Sequence, residues 1–463
     1  MPIPVTILCG ELGAGKTTLL SELLESSDRE IALVVNDVGS VNVDADLVEA
    51  RTDLSTGEEV LALENGCICC SLSGDLSRSV IRLQRERSFD HLVVEASGVG
   101  EPEPIARQFV RGPAAGVYDL ESVVTVVDAR RFHDRFAARE RDGVPAIEGP
   151  DESGTRPLAD LVLEQVEFCN LLVLNKCDLV TGAERERAVA LLETLQPRAE
   201  VVTTEFGVVD PDGVLGTDRF DLETAAESAG WKRVLEDETA GHDHGDGDDH
   251  GDPDRTHAED RGHEHAHDGH EHTHDHEHSC DDRGHEHTHD HDDGDDHGDH
   301  DHAHPPEEYG IDVDAYRRRR PFHPGRFATL LADLPDGLVR AKGLCWIAGR
   351  ERQAITMSFA GSETSLEVTG RWIASLSEQR QERYRSGQPD LEWDEEWGDR
   401  ETRLALIGRG LEMDALIERL DDCLLTDAEM DADWAAFETD APTAMGETVT
   451  VSTDERDGLS ENR

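Results

Sequence analysis

The sequence predicts an α/β fold with a mainly parallel sheet, followed by a smaller α+β C-terminal domain. Three observations carry that prediction. Over residues 1–235, short apolar runs rich in β-branched residues or leucine alternate with amphipathic stretches of helical length. The first run leads into Gly10-Glu11-Leu12-Gly13-Ala14-Gly15-Lys16-Thr17, which has the G-x-x-x-x-G-K-[ST] spacing of a phosphate-binding loop. After a long polar interruption, core-forming sequence returns at Tyr309 and reads as strands with an amphipathic helix.

Val5–Leu8, Ile31–Val35, Val60–Leu63, His91–Glu95, Val123–Val127 and Leu171–Leu174 read as strands. Thr17–Leu24 and Asp75–Arg87 read as helices, and Gly143–Thr155 as a surface loop. Residues 236–308 are dominated by His, Asp, Gly and Glu. They lack the aliphatic side chains that offset ordering entropy, so a disordered, metal-binding linker is expected there. Within 309–430 the strands are placed at Gly343–Ala348, Ala354–Phe359 and Ser365–Thr369, and a helix at Glu412–Asp422. Residues 431–463 read as a loose acidic tail.

Composition narrows the function classes. Acidic residues number 103 against 44 basic ones, for a formal charge of −59, and only four of the basic residues are lysines. Residues 241–304 account for −20 of this, leaving −39 elsewhere. Such self-repulsion weakens a compact state unless salt screens it, so a halophilic host is expected. Nucleic-acid binding is disfavoured at this charge. No apolar run is long enough to cross a membrane, and the chain enters a strand without a basic leader, so a cytoplasmic protein is expected. Nine unevenly spaced cysteines do not suggest a disulfide framework.

The chemistry concentrates in four places. In the phosphate loop, backbone N–H groups of Gly10, Gly13, Ala14, Gly15 and the start of the next helix (Thr17, Thr18) would cradle phosphates. Lys16 would reach the β/γ-phosphates, and the Thr17 hydroxyl would ligate Mg²⁺. Glu95 ends an apolar strand and can hold Mg²⁺ directly or through water, with Gly98 sensing the terminal phosphate through its backbone. Asn175-Lys176-Cys177-Asp178 follows another strand; its final carboxylate would face the two edge N–H donors of guanine, favouring GTP over ATP. Together these define a P-loop NTPase. Cys67, Cys69 and Cys70 form a C-x-C-C cluster whose thiolates suit Zn²⁺ and softer ions, although a redox pair or packing cysteines remain alternatives.

Taken in order, GELGAGKTT, GCICC, VVEASG and NKCD resemble the CobW-type P-loop GTPases, a family of metallochaperones. Arg320–Phe327, Val339–Gly343 and Gly398–Arg400 are similar to blocks of that family's C-terminal domain. The resemblance covers about 1–235 and 309–430. It implies slow GTP hydrolysis coupled to delivery of zinc or cobalt to a client metalloprotein. It also implies that Cys67, Cys69 and Cys70 hold the metal. Asn36-Asp37-Val38-Gly39 stands where the family usually has Asn-Glu-x-Gly, so Asp37 is carried over as a metal ligand or water-orienting group.

Twenty of the 23 histidines fall between His242 and His304, many two residues apart, which suits exchangeable binding of Zn²⁺ or Co²⁺. The leading expectation is therefore a zinc chaperone driven by GTP. A cobalt chaperone for cobalamin synthesis and a His-rich metal store with a regulatory GTPase are the alternatives. Cys9, Cys169, Cys177, Cys345 and Cys423, with His91, His133 and His323, are expected to be structural.

Overall fold

The computed structural model describes residues 2–35, 60–62, 73–96, 98, 100–138, 157–217, 220–241, 309–388 and 391–452. The first sheet contains β1 (Ile3–Gly10), β2 (Ile31–Val35), β3 (Val60–Ala62), β4 (His91–Glu95), β5 (Tyr118–Asp128), β6 (Leu171–Asn175) and β7 (Glu200–Thr203). Their order is β3-β2-β4-β1-β5-β6-β7, and every pairing is parallel. Both faces are covered, which is why β1 shows an unbroken buried run from Val5 to Gly10 rather than alternation. Val5, Ile7 and Cys9 pack into one core, whereas Leu8 joins Leu19, Leu20 and Leu23 of α1 (Lys16–Ser26) in another. The other helices of this part, eight residues or longer, are α2 (Ser73–Glu86), α3 (Pro102–Val110), α4 (Leu158–Phe168), α5 (Gly182–Leu195) and α6 (Gly230–Gly241).

A parallel sheet gathers the carboxyl ends of its strands at one edge, where ligands of open α/β sheets are bound. Gly10, Glu95, Asp128 and Asn175 all end strands there, with Leu8 in register with Glu95 and Asp128 with Asn175.

The second sheet holds β8 (Ile311–Arg318), β9 (Leu338–Cys345), β10 (Gln353–Ala360), β11 (Glu363–Arg371), β12 (Thr402–Arg409) and β13 (Thr448–Ser452). It is antiparallel, in the order β13-β11-β10-β9-β12-β8. Phe327, Leu330 and Leu331 of α7 (Pro324–Leu331) and Leu416 and Leu420 of α9 (Met413–Asp421) share a core with its strands. Between them in the chain lies α8 (Glu378–Gly387), which buries no residue. Both sheets fall within one compact unit.

Three expectations need correction. The strand expected at Gly343–Ala348 lies at Leu338–Cys345, because Arg340 and Lys342 are strand residues whose charges are met across the interface rather than by water. The tail expected to be loose from 431 is structured as far as Ser452: β13 pairs with β11, Trp434 stacks on Trp397, and Arg350 donates to the Ala441 carbonyl at 2.8 Å. The β-branched Thr448-Val449-Thr450-Val451 run carried that signal within acidic surroundings. Finally, α6 continues past 235 to Gly241. The rest of the expected linker, 242–308, and the Gly143–Thr155 loop lie outside the described residues.

The lone histidines are placed as structural groups. His323 caps α7 by accepting from Gly325 N, and His133 is buried beside Arg130. His91 is fully buried, with Nε2 2.9 Å from the Thr6 hydroxyl. Burial, with the nearby Arg29 charge, pushes its pKa down to about 4. The unfolded chain takes up this proton below its ordinary pKa of about 6.5 and the folded chain does not until about 4. Stability is therefore expected to fall as pH drops through that window, by roughly 3 kcal/mol in total. Acid unfolding of His91→Gln, compared with the unaltered chain, checks this; the variant should lose that part of the slope.

Candidate functional site

The phosphate loop joins β1 to α1 through three glycines with positive φ, at Gly10, Gly13 and Gly15. The case for glycine is clearest at Gly15, the N-cap of α1, where φ is 106° and a Cβ would sit 2.3 Å from the Asn175 amide nitrogen. No side chain caps α1, so its first-turn N–H groups face the loop, where an anion would be favoured. Lys16 is almost fully buried and folds its ammonium back over the loop, donating to Gly10 O at 2.8 Å and Glu11 O at 3.3 Å. Ala14 is buried, and Thr17 and Thr18 are half-buried at the start of α1.

The structure brings the N-K-x-D segment against this loop. Asn175 is buried; its Nδ2 donates to Ala14 O and its Oδ1 accepts from Gly207 N, both at 3.0 Å. Lys176 sits at φ 61°, with its ammonium on Gly13 O and 2.7 Å from the Asp128 carboxylate. Asp178 is exposed in the following short turn. One asparagine thus ties together the phosphate loop, the end of β6 and the loop after β7.

Glu95 closes β4 at 2% exposure. Gly98 approaches the phosphate loop so closely that a Cβ there would meet Leu12 N at 2.8 Å, which only glycine permits. Asp37, Cys67, Cys69 and Cys70 lie outside the described residues, as does Cys280 with the His tract. Among the described residues no three His, Cys, Asp or Glu side chains cluster in a way that would hold a metal. The described cysteines are buried thiols. Burial pushes the Cys169 thiol up to about 12 and Cys423 to about 11, with Cys9 and Cys345 higher still. Thiols held protonated are poor metal ligands.

Several residues of this region were not singled out from sequence. Arg131 donates to Leu12 O at 2.7 Å, and Arg135 pairs with Glu11 at 2.6 Å, so two arginines brace the loop from outside. Asp128 accepts from Arg131 N and from Lys176. Its place at the end of an apolar strand, like Glu95, was the available signal. Gln165 of α4 is buried and donates to Gly100 O at 2.8 Å. Its position within an apolar helix run gave no signal at all.

Fold and phosphate loop together define a P-loop GTPase. The family described as CobW/HypB/UreG, nucleotide-binding domain, matches residues 4–203, and the cobalamin synthesis protein cobW C-terminal domain matches residues 311–424. The chain belongs to the CobW family. It is 30% identical over 457 residues to zinc-regulated GTPase metalloprotein activator 1 of Dictyostelium discoideum, covering 92% of this chain and 81% of that protein. To zinc chaperone CobW of Sinorhizobium sp it is 33% identical over 186 residues, 39% of this chain and 52% of that protein. To zinc chaperone YjiA of Escherichia coli it is 31% identical over 229 residues, 48% of this chain and 64% of that protein. The chain thus spans about half to two thirds of the last two relatives.

Proposed function

We propose that the protein is a GTP-hydrolysing metal chaperone that binds zinc at Cys67, Cys69 and Cys70 and passes it to a client metalloprotein. The observation that carries the nucleotide half is Asn175, which joins the phosphate loop to the segment bearing Asp178. With that anchoring, the Asp178 carboxylate is the natural partner for the guanine edge. Lys16 and the amides of Gly10, Gly13, Ala14, Gly15 and α1 stabilise charge on the phosphates. Thr17 and Glu95 offer hard oxygen donors that suit Mg²⁺, whose chemistry when bound is to neutralise phosphate charge. Gly98 presents its backbone to the terminal phosphate.

The metal half rests on the zinc-directed names of the relatives and on elimination among this chain's own thiols. The described cysteines are buried with raised thiol pKa values, which leaves Cys67, Cys69, Cys70 and Cys280 as sources of exchangeable thiolates, and only the first three are clustered. Asp37 is a further candidate ligand, and the histidines of 242–304 would raise the local concentration of metal as a tethered reservoir. The four parts proposed are a GTPase domain over 1–241, a His/Asp-rich linker over 242–308, a C-terminal domain from 309 through β13, and an acidic end beyond it. The lysine-poor, acidic composition fits a salt-rich cytoplasm.

Zinc competition with a chromogenic chelator, in high salt, tests the metal half. A Cys67→Ser/Cys69→Ser/Cys70→Ser chain should lose one tight zinc equivalent yet keep the weak, multiple binding of the His tract. Retention of the tight site would remove the three cysteines from this role.

A further inference from the structure

The helix α4 touches both ends of the molecule's chemistry. With 3.6 residues per turn, Asp160, Glu164 and Glu167 share one face, and Gln165 lies about 140° round from Asp160. The acidic face meets the C-terminal sheet. Arg340 of β9, fully buried, donates Nε and Nη2 to the two Glu167 oxygens at 2.7 and 2.9 Å and Nη1 to Asp160 at 2.5 Å. Ser358 of β10 adds a bond to Asp160 at 2.6 Å, and Lys342 pairs with Glu164 at 2.9 Å. A bulge in the β9–β12 pairing skips Val339, and both Val339 and Arg340 contact the first domain.

On its other side, α4 meets the nucleotide edge. The Gln165 amide nitrogen donates to Gly100 O at 2.8 Å and reaches Gly98 O at 3.5 Å. Its carbonyl oxygen is buried without a protein partner among the described residues. A cavity of about 10 Å³ borders Gln165 together with Glu11 and Arg135 of the phosphate-loop brace, room for one water at most. Thr125 of β5 fixes the helix backbone by donating to Gln165 O at 2.8 Å. A buried amide with a spare acceptor can exchange partners when the backbone beside it shifts.

We propose that Gln165 is a positioning residue for GTP hydrolysis, and that the C-terminal sheet, through Arg340 and α4, sets where its amide holds the Gly98 and Gly100 carbonyls. The bidentate Arg340–Glu167 pair fixes the axial and rotational position of α4, and Gln165 transfers that position to the segment facing the terminal phosphate. The C-terminal domain thereby governs turnover without touching nucleotide. This rests on the GTPase reading, with Gly98 facing the terminal phosphate.

Three chains test it in steady-state GTP hydrolysis with GDP affinity measured alongside: Gln165→Met, the neutral set Asp160→Asn/Glu167→Gln/Arg340→Met, and their combination. The neutral set removes the charges of Asp160, Glu167 and Arg340 together and leaves Lys342 paired with Glu164, so no unpaired buried charge remains to unfold the chain. Each of the first two should lower kcat about tenfold, the loss of one oriented hydrogen bond, with KM for GTP and Kd for GDP within about twofold. The combination should be no slower than the worse of its parents. Unchanged kcat in either parent, losses that multiply in the combination, or a parallel collapse of GDP affinity would each overturn the proposal. Absence of turnover in the unaltered chain would instead overturn the GTPase reading beneath it.

Discussion

A chain carrying Lys16→Met is expected to bind GDP yet hydrolyse GTP about 10²–10³ more slowly, the usual cost of removing one preorganised charge donor. The ammonium now bridges the Gly10 and Glu11 carbonyls across the phosphate loop, at 2.8 and 3.3 Å. Those acceptors hold it over the loop proposed to bind phosphate, in the place that role requires. Methionine keeps most of the length of the stem but contributes no charge. Single-turnover hydrolysis, with fluorescent GDP titration as the control, measures the effect. A chain whose turnover survives would place phosphate stabilisation on the loop amides alone.

The second large effect concerns stability. Arg340→Met alone strands the Asp160 and Glu167 carboxylates in an interface where Asp160 and Arg340 have no exposure. Breaking a buried ion pair from one side typically costs about 3–5 kcal/mol. The burial of Arg340 lowers the favour of its charge, yet the two carboxylates outweigh that and hold its pKa above the ordinary arginine value. The denaturation midpoint of Arg340→Met should therefore fall well below that of the neutral triple set, although the triple set removes more groups. Denaturant melts of both chains decide this; equal midpoints would mean that water reaches the cluster freely.

What was legible in the sequence followed from local chemistry. Gly10 to Thr17 and Asn175 to Asp178 announced themselves because a phosphate-loop motif and an N-K-x-D motif are defined by particular residues at fixed spacing. The strands of the first sheet other than β7 were legible as continuous apolar runs, whereas β7, a short edge strand that is only partly buried, was missed. What was not legible depended on partners distant in sequence. Arg340 and Lys342 are charges within a strand and obscured its start at Leu338, since their acids stand more than 170 residues earlier. Gln165 was hidden for the same reason, since its amide reaches the Gly98 and Gly100 carbonyls more than 60 residues earlier. β13 was lost in an acidic tail because a strand that completes a sheet edge needs only a few alternating residues.

A metal chaperone driven by GTP must link nucleotide state to metal binding, and linkage requires each ligand to change the affinity of the other equally. The most direct measurement is zinc affinity by chelator competition, in high salt, with the chain saturated either by a non-hydrolysable GTP analogue or by GDP. Zinc should bind about tenfold tighter or more in the GTP state, a coupling of about 1.4 kcal/mol, and the difference should disappear in the Cys67/Cys69/Cys70 triple serine chain. Equal zinc affinity in the two nucleotide states would contradict it.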